Sequence, residues 1–547
     1  MKSVLCTLMF SVLFSIAIDA QSTALRVYEI LQEKCVSCHS NANPQSGLDL
    51  EGSGATVNQR ALDVAGNIID VVPANDQAAT KGDKYIYPGR PDRSFLFRKI
   101  NGALDPFYHL DADEMGSMPP AGNTQLTDVE KELIRQWILY GASLNGTPVD
   151  EQRIHDYYHT NGMPSFPEGP PDGLAPSEGF QIKMGPFYLE PSGEVEYFQK
   201  YELNLPEDVE VDRIDMEISN FSHHFIIYDF NPGGSNSIAD GFRLEPDHSN
   251  IGIVAAVQES IDLKLPEGTA FKWDQDLVLD LNSHFINYAA GATLQAEVYI
   301  NVYTKPVGTA AQEMKTELVA NANIFIPNNG NLITHSQHIT FNLGEVYTWM
   351  MMGHTHKYGE GYKVFKRLPG GVRGEILYDG ACPQGVPGCV APFFDYQHIP
   401  PRFFDNLMPL TFNFQNGIIH EAQWINDGPA AVNWGFTSED EMMVLVIMYV
   451  DDTTGVVVTD IEDRNNPLDG VQVFPNPMQD ETFVQLPAEI GTVTFRLFDA
   501  IGQEVKRMEG VSSSNFSFRR EQLPPGMYIY RIEDQLGRFA LGKLLIE

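Results

Sequence analysis

The sequence predicts a multidomain chain in which a small all-α domain is followed by two antiparallel β-sandwiches of jelly-roll type and a small C-terminal β-sandwich. Three observations predict it. The 547 residues exceed the roughly 250–300 at which one hydrophobic core stops growing. Helical periodicity is confined to the stretch from Ala24 to about Leu144, and short alternating runs punctuated by turn residues dominate beyond Phe180. The expected divisions are 1–20, 24–145, 146–178, 179–307, 308–455, 456–470 and 471–547.

Met1 to about Ala20 carries Lys2, an apolar run from Val4 to Ile18, and small residues near its end, the pattern of a secretory signal peptide. It is too short to span a bilayer, and no later stretch is apolar for long enough to do so. Arg26 to Glu33 reads as a helix leading into Cys35, and Thr127 to Tyr140 as an amphipathic helix opened by a capping box of Thr127 and Glu130. Asn145 to about Ser177 is dense in Pro and Gly and reads as a linker. Strands are expected at Glu194 to Leu203, Asp215 to Asp229, Leu294 to Tyr303 and Met443 to Val450. About 270 such residues are too many for one small sandwich and suit two packed together. The tail from Gly470 adds strands near Thr482 to Leu486, Val493 to Asp499 and Gly526 to Glu533.

The formal net charge of -37 excludes a nucleic-acid partner, whose phosphates demand a basic surface. Such acidity favours solubility outside the cell, and it would also steer a basic electron-transfer partner. Of five cysteines, Cys6 lies in the signal segment, Cys35 and Cys38 belong to a CxxCH motif, and Cys382 and Cys389 remain. In an oxidising compartment this last pair is expected to form a short-loop disulfide; no histidine lies near enough to favour a metal site instead.

Cys35-Val36-Ser37-Cys38-His39 sets two thiols for addition to the vinyl groups of one haem c, with the following histidine placed to ligate iron. The rival reading, a zinc or redox CxxC, lacks a second ligand pair nearby. A thioether is expected as the sixth ligand. Met118 in GSMPP is the first candidate, Met115 and then His109 its competitors. The stretch from Leu31 to Gly141, with CVSCH, PGRPDRSFLFRKI, SMPP and WILYGA, resembles the cytochrome c domain of secreted planctomycete and Bacteroidetes proteins. That resemblance implies His39 and Met118 as axial ligands.

Eight of the fourteen histidines fall between residues 223 and 356. His354 and His356 lie two apart, and on a strand both would point to one face and meet one metal. His223 and His224 are adjacent and need a strand end or a bulge to converge. His284 offers a third imidazole at the end of another strand. Imidazole with thioether suits copper.

The order of an HH pair at His223-His224, SHF at His284, HTH at His354-His356 and TSEDEMMVLVIMYV with Met442 resembles the copper type II, ascorbate-dependent monooxygenases, the family of peptidylglycine and dopamine β-monooxygenases. The resemblance spans about Phe180 to Val450. It implies that His223, His224 and His284 hold one copper and His354, His356 and Met442 a second, catalytic one. It also implies two sandwiches facing a solvent-filled cleft, an organic substrate hydroxylated with O2, and an external reductant. Met443 stands beside Met442 as the alternative core residue. Where the peptidylglycine enzymes grip a carboxylate, this chain has Met352, Val444 and Val446. A carboxylate would go unpaired there, so an apolar or neutral substrate is expected. His248 could replace His284, and His335, His338, His398 and His420 are expected to be packed or surface groups.

VFPNP from Val473, VTFRLFDAIGQEV from Val493, LPPGMY from Leu523 and Gly542-Lys543 resemble the type A C-terminal sorting domain of the type IX secretion system of Bacteroidetes. The implied partner is that machinery, and the implied location is the cell surface or the medium. The expected function is a secreted copper monooxygenase fed electrons through its fused haem; the alternative is an extracellular electron-transfer cytochrome with a non-catalytic copper- or ligand-binding β module.

Overall fold

The computed structural model describes residues 22–457, except 220, 245–250, 258–259, 384–385, 387, 397–398 and 436–438, and residues 471–546, except 487–491, 499–503, 512–514, 522 and 535–538. The signal segment 1–20, most of the expected linker 456–470, His248 and His398 therefore lie outside the described residues. The chain divides into two compact units, Met1–Val457 and Val458–Glu547. Among the described residues no helix is long and apolar enough to cross a membrane.

The N-terminal helices are α1 (Thr23–Lys34), α2 (Val57–Ile68), α3 (Asp76–Thr80), α4 (Phe95–Asn101), α5 (Asp128–Leu139) and α6 (Glu151–Asp156). Local chemistry sets their ends. Ser22 Oγ accepts from Leu25 N–H at the start of α1, and Thr127 with Glu130 forms a complete capping box on α5. Their buried faces meet in one core containing Val27, Ile30, Leu31, Phe97, Leu133, Ile134 and Trp137.

An independent all-α domain is not what these residues build. Among the described residues the chain is mostly sheet, 44% strand against 16% helix with six helices. Even the N-terminal part contains a hairpin, His39–Ser40 with Asn43–Pro44, and isolated bridges at Ile69 with Ile86 and Lys84 with Ser94. The core of these helices, five to twelve residues long, is not closed by helices alone. It extends to Tyr188 of the adjoining sheet.

Polar bonds reinforce that junction. Lys183 pairs with Asp105 and, at 2.9 Å, with Glu297, and Arg135 reaches Asp105 at 2.6 Å. Gln136 Nε2 donates to the Pro186 carbonyl at 2.7 Å and Gln199 Nε2 to the Gly89 carbonyl at 2.8 Å. Gly141 and Gly241 let two backbones touch; a Cβ built on Gly241 would stand 2.3 Å from the Gly141 nitrogen. The expected linker 146–178 is also built in. It holds α6, a π-turn at Tyr157–Asn161 and a short strand, Gly162–Pro164, that joins the first sandwich.

The first sandwich comprises β1 (Gly179–Leu189), β2 (Glu194–Glu202), β3 (Val209–Glu217), β4 (Ser222–Phe230), β5 (Ile251–Val257), β6 (Ile261–Lys264), β7 (Thr269–Trp273), β8 (Val278–Ile286) and β9 (Thr293–Pro306). One sheet runs β7-β3-β9, with β6 on β3 and β1 on β9; the other runs β2-β8-β4-β5. The expected run Asp215 to Asp229 is thus two strands, one ending at Glu217 and the next starting at Ser222.

The second sandwich comprises β10 (Lys315–Ala320), β11 (Leu332–Ile339), β12 (Gly344–His354), β13 (Gly359–Leu368), β14 (Val372–Asp379), β15 (Arg402–Phe412), β16 (Gly417–Ile425) and β17 (Val444–Val450). Its sheets run β10-β17-β12-β15 and β11-β16-β13-β14. Met351, Leu445 and Ile447 face its core, with Tyr362 and Trp424 opposite. The reverse face carries Met350, Met352, Val444, Val446 and Met448, all at most 6% exposed. Burial on both faces accounts for the unbroken apolar runs WMMM and VLVIMYV, which lack the alternation of a half-exposed strand. Cys382 and Cys389 form a disulfide, Cα atoms 5.7 Å apart.

The second unit pairs a sheet of β18 (Gln472–Phe474), β19 (Glu481–Gln485) and β22 (Asn515–Arg519) with one of β20 (Val493–Phe498), β21 (Glu504–Val511), β23 (Gly526–Asp534) and β24 (Phe539–Ile546). Val484, Phe495, Leu497, Phe518 and Ile532 fill its core.

Candidate metal centre

His224 on β4 pairs with His284 on the neighbouring β8, and His223 is the extra residue of a bulge there: His284 faces His224, but Phe285 already faces Ser222. The bulge turns two adjacent imidazoles to one side. The ligand atoms of His223, His224 and His284 lie within 4.8 Å of one another, and all three residues are at most 6% exposed.

Carboxylates orient these rings. His224 Nε2 meets Glu196 Oε1 at 3.1 Å and His284 Nε2 meets Glu194 Oε1 at 2.8 Å. Burial would raise the Glu196 carboxyl, but the bond from His224, the neighbouring imidazoles His224 and His284 and the Asn282 amide together outweigh it and hold the group at about 2. An ionised carboxylate only accepts, so each Nε2 carries the proton and each Nδ1 presents a lone pair. Nδ1 of His223 and Nδ1 of His224 stand 3.2 Å apart.

The ring spacing tests whether an ion fits. Imidazole nitrogens hold a metal at about 2.0–2.1 Å, which puts the ion about 3.2 Å from each ring centroid and tetrahedrally arranged centroids about 5.2 Å apart. The three observed separations are 4.8, 5.1 and 5.4 Å, and the set fits one ion.

His354 ends β12, whereas His356 lies beyond it in a turn. The expected placement of both on one strand is therefore corrected. The turn is fastened by Glu441, which is fully buried and accepts from His356 N–H at 2.9 Å, Tyr358 N–H at 2.7 Å and Trp424 Nε1–H at 2.8 Å. His356 Nδ1 donates to the Asp440 carbonyl at 3.1 Å, which leaves Nε2 as its metal-facing nitrogen. The His354 and His356 centroids are 5.2 Å apart, again the spacing of two rings on one ion. Met442 follows Glu441 directly and is half-buried; Met443 is the core residue of the two.

The expected gap between the two ligand sets is not there. The His224 and His354 rings meet edge to face at 6.0 Å, and Tyr396 approaches His223 at 6.1 Å. The five imidazoles form one cluster where the sandwiches meet. The remaining described histidines of this region have other neighbours. His335 lies against Phe325, His338 against Arg367, and His420 is fixed between Tyr362 and Gln337.

At the N-terminal end Cys35, Cys38, His39 and Met118 line one cleft with Lys34, Ile100 and Pro119. Both thiols are unpaired. Burial raises the Cys35 thiol to about 11, and His39 Nδ1 is buried without a hydrogen-bond partner. Met118 is held to α4 by its N–H, which donates to the Lys99 carbonyl at 2.7 Å. Met115 is 73% exposed and the His109 side chain likewise 73%; neither lines the cleft. The donors around the cleft fit a c-type haem: two free thiols, an imidazole and a thioether.

Residues 472–547 match the secretion system C-terminal sorting domain family. The sorting domain coincides with the second compact unit and marks the protein for export by the type IX machinery, to the surface of a Bacteroidetes-type cell or beyond it. No curated protein matches the chain. Among solved structures, the β-glucuronidase of Ruminococcus gnavus aligns at 9% identity and a TM-score of 0.14, over 39% of this chain and 35% of that one. The β-D-glucuronidase of Dictyoglomus thermophilum aligns at 10% and 0.17, over 42% and 43%. A biofilm-associated protein BSP domain aligns at 10% and 0.13, over 69% and 84%. The chain thus spans less than half of either glucuronidase, and at these scores none of the three carries an argument about fold or activity.

Sequence reasoning missed Glu194, Glu196 and Asn282, which hold imidazoles, and Glu441, which holds the His356 backbone; the Asn282 Oδ1 lies 3.1 Å from His224 Nε2. Glu194 and Glu196 were in principle legible, since they alternate on one strand before Tyr197. Their pairing with β8 is a long-range fact that no local pattern encodes.

Proposed function

We propose that this exported protein is a copper-dependent monooxygenase that hydroxylates an apolar or neutral organic substrate with O2. The gathering of five imidazoles, two of them fixed by carboxylates and a third by a backbone carbonyl, carries this reading. His223, His224 and His284 would hold one copper, and His354, His356 and Met442 the other; thioether with imidazole favours copper over zinc. When bound, the metal supplies open coordination for O2 and one-electron redox chemistry. The balance is R–H + O2 + two electrons + two protons to R–OH + H2O, with an external one-electron reductant as donor.

The chain's own groups supply the rest. Glu194 and Glu196 keep their imidazoles in the Nδ1-ligating tautomer, and Glu441 with the Asp440 carbonyl aims His356 Nε2. Met352, Val444 and Val446 lie on the face of the sheet that bears His354, since Met352 pairs with Val446 and His354 with Val444. That face carries no group to pair with an anion, so a charged substrate is disfavoured beside His354. A haem attached at Cys35 and Cys38 and ligated by His39 and Met118 would pass electrons from the external donor.

Metal and haem analysis of the purified protein tests this, with two coppers and one haem expected per chain. Reductant-dependent O2 uptake should then require copper. The burial of the cluster favours a second reading, electron transfer without substrate turnover. Copper that cycles with the reductant but takes up no O2 would select it.

A further inference from the structure

We infer that Arg98 and Lys99 of α4 are positioning residues that select Met118, and not Met115, as the sixth ligand of the haem. The inference rests on the haem reading above and is independent of copper. The loop from Asp111 to Met118 carries both thioethers, three residues apart. Spacing alone gives neither the advantage.

The loop is clasped to α4 at three points. Nearest the ligand, Met118 N–H donates to the Lys99 carbonyl at 2.7 Å. Second, Lys99 Nζ donates to the Gly116 carbonyl at 3.0 Å and also to the Glu114 carbonyl, so one ammonium bridges the residues on either side of Met115. Third, Arg98 grips the Glu114 carboxylate with both terminal nitrogens, Nη1 to Oε2 and Nη2 to Oε1, the latter at 2.7 Å. Lys81 Nζ at 2.6 Å and the Asp111 N–H at 2.9 Å also donate to that carboxylate. Glu114 is fully buried and Arg98 nearly so. Burial would raise the Glu114 carboxyl, but these bonds outweigh it and hold the group at about 2, so the pair is charged near neutrality. A buried ion pair of this kind is costly to break from either side.

These ties decide which sulfur reaches the cleft. With the carbonyls of 114 and 116 held, Met115 has a positive φ of 66° and is 73% exposed. Met118 lines the cleft with Cys35, Cys38 and His39. The chain thus presents one thioether to the haem and withholds the other. Methionine ligation raises the haem potential, so the clasp also sets the potential at which electrons enter.

Imidazole titration of the full chain carrying its ferric haem tests the inference, because added imidazole competes with the sixth ligand. The parent should show the near-infrared methionine-to-iron absorption; Met118→Leu should abolish it and Met115→Leu should leave it. Lys99→Met keeps the length of the side chain but neither carbonyl bond. Its haem should bind imidazole about 10–100-fold more tightly, the factor that a hydrogen bond from a charged group contributes. Lys99→Arg, which can still donate to both carbonyls, should recover the parent's resistance. Glu114→Gln should shift imidazole affinity in the same direction as Lys99→Met, which guards against one variant failing to fold. A merely structural lysine would move the melting midpoint and leave imidazole affinity alone. Lys99→Met that binds imidazole as the parent does overturns the inference, and so does an absorption lost in Met115→Leu but kept in Met118→Leu. A parent without covalent haem overturns the haem reading itself, and the inference with it.

Discussion

Glu441 offers the sharpest perturbation, because it touches neither proposed ion yet fixes the turn that presents His356. Its carboxylate is fully buried and serves three donors, the N–H groups of His356 and Tyr358 and the Trp424 indole. Glu441→Ala strands all three. A buried donor left unpaired costs about 1–3 kcal/mol, so three give about 3–9 kcal/mol. Burial already raises the Glu441 carboxyl against those bonds, and removing a costly buried charge offsets part of the loss. The low end, about 3 kcal/mol, is expected. Unfolding entropy of about 2.1 cal/mol/K per residue gives a unit of this size about 0.9 kcal/mol per kelvin, so the melting midpoint of the copper-free protein should fall by about 3 °C. Glu441→Gln keeps an oxygen for His356 and Trp424 but turns an NH2 toward the Tyr358 N–H, and should cost about 1–2 kcal/mol. Scanning calorimetry reads the midpoint and equilibrium dialysis the copper. The second copper should be held more weakly in Glu441→Ala while the first is unchanged. A variant that melts with the parent and keeps both coppers refutes the idea that this carboxylate positions His356.

Other perturbations separate the remaining claims. Cys38→Ala should abolish covalent haem attachment, read as loss of haem-dependent peroxidase stain after denaturing electrophoresis. Acid should loosen the junction of helices and first sandwich. Burial would raise Asp105, but Lys183 and Arg135 outweigh it and hold the carboxyl at about 2. Its ordinary value is about 3.9, so the pairing contributes about 2.5 kcal/mol near neutrality, which is lost as pH falls from about 4 through about 2. Asp105→Asn should flatten the acid limb of a pH-melting curve. Gly353→Ala should destabilise by about 1–3 kcal/mol through overpacking, because the added carbon would stand 2.5 Å from the Tyr362 ring; calorimetry on the metal-free protein reads it. Truncation after Val457 should leave the first unit folded by circular dichroism but retain it inside the producing cell, read by fractionation.

Local chemistry was legible wherever it was written in neighbouring residues. The capping box at Thr127 and Glu130, the strands at Glu194, Val444 and Val493, and the sorting-domain motifs all follow from short-range pattern. The His223-His224 pair demanded a bulge, and β4 supplies one. What failed was separateness. A helical period says that a segment is helical and not that its core is closed, and here α1 to α6 complete theirs against Tyr188 and the buried Lys183. The Pro- and Gly-rich segment read as a linker because those residues disfavour long helices and strands, yet three residues, Gly162–Pro164, suffice to add a strand to an existing edge. The closure between the sandwiches did leave a trace, in the unbroken runs WMMM and VLVIMYV. A strand facing a solvent-filled cleft alternates, because one side must be polar; a strand with no polar side must be covered twice. Read that way, those runs require something against the outer face of β12 and β17, and the first sandwich with its three imidazoles is what His354 meets there.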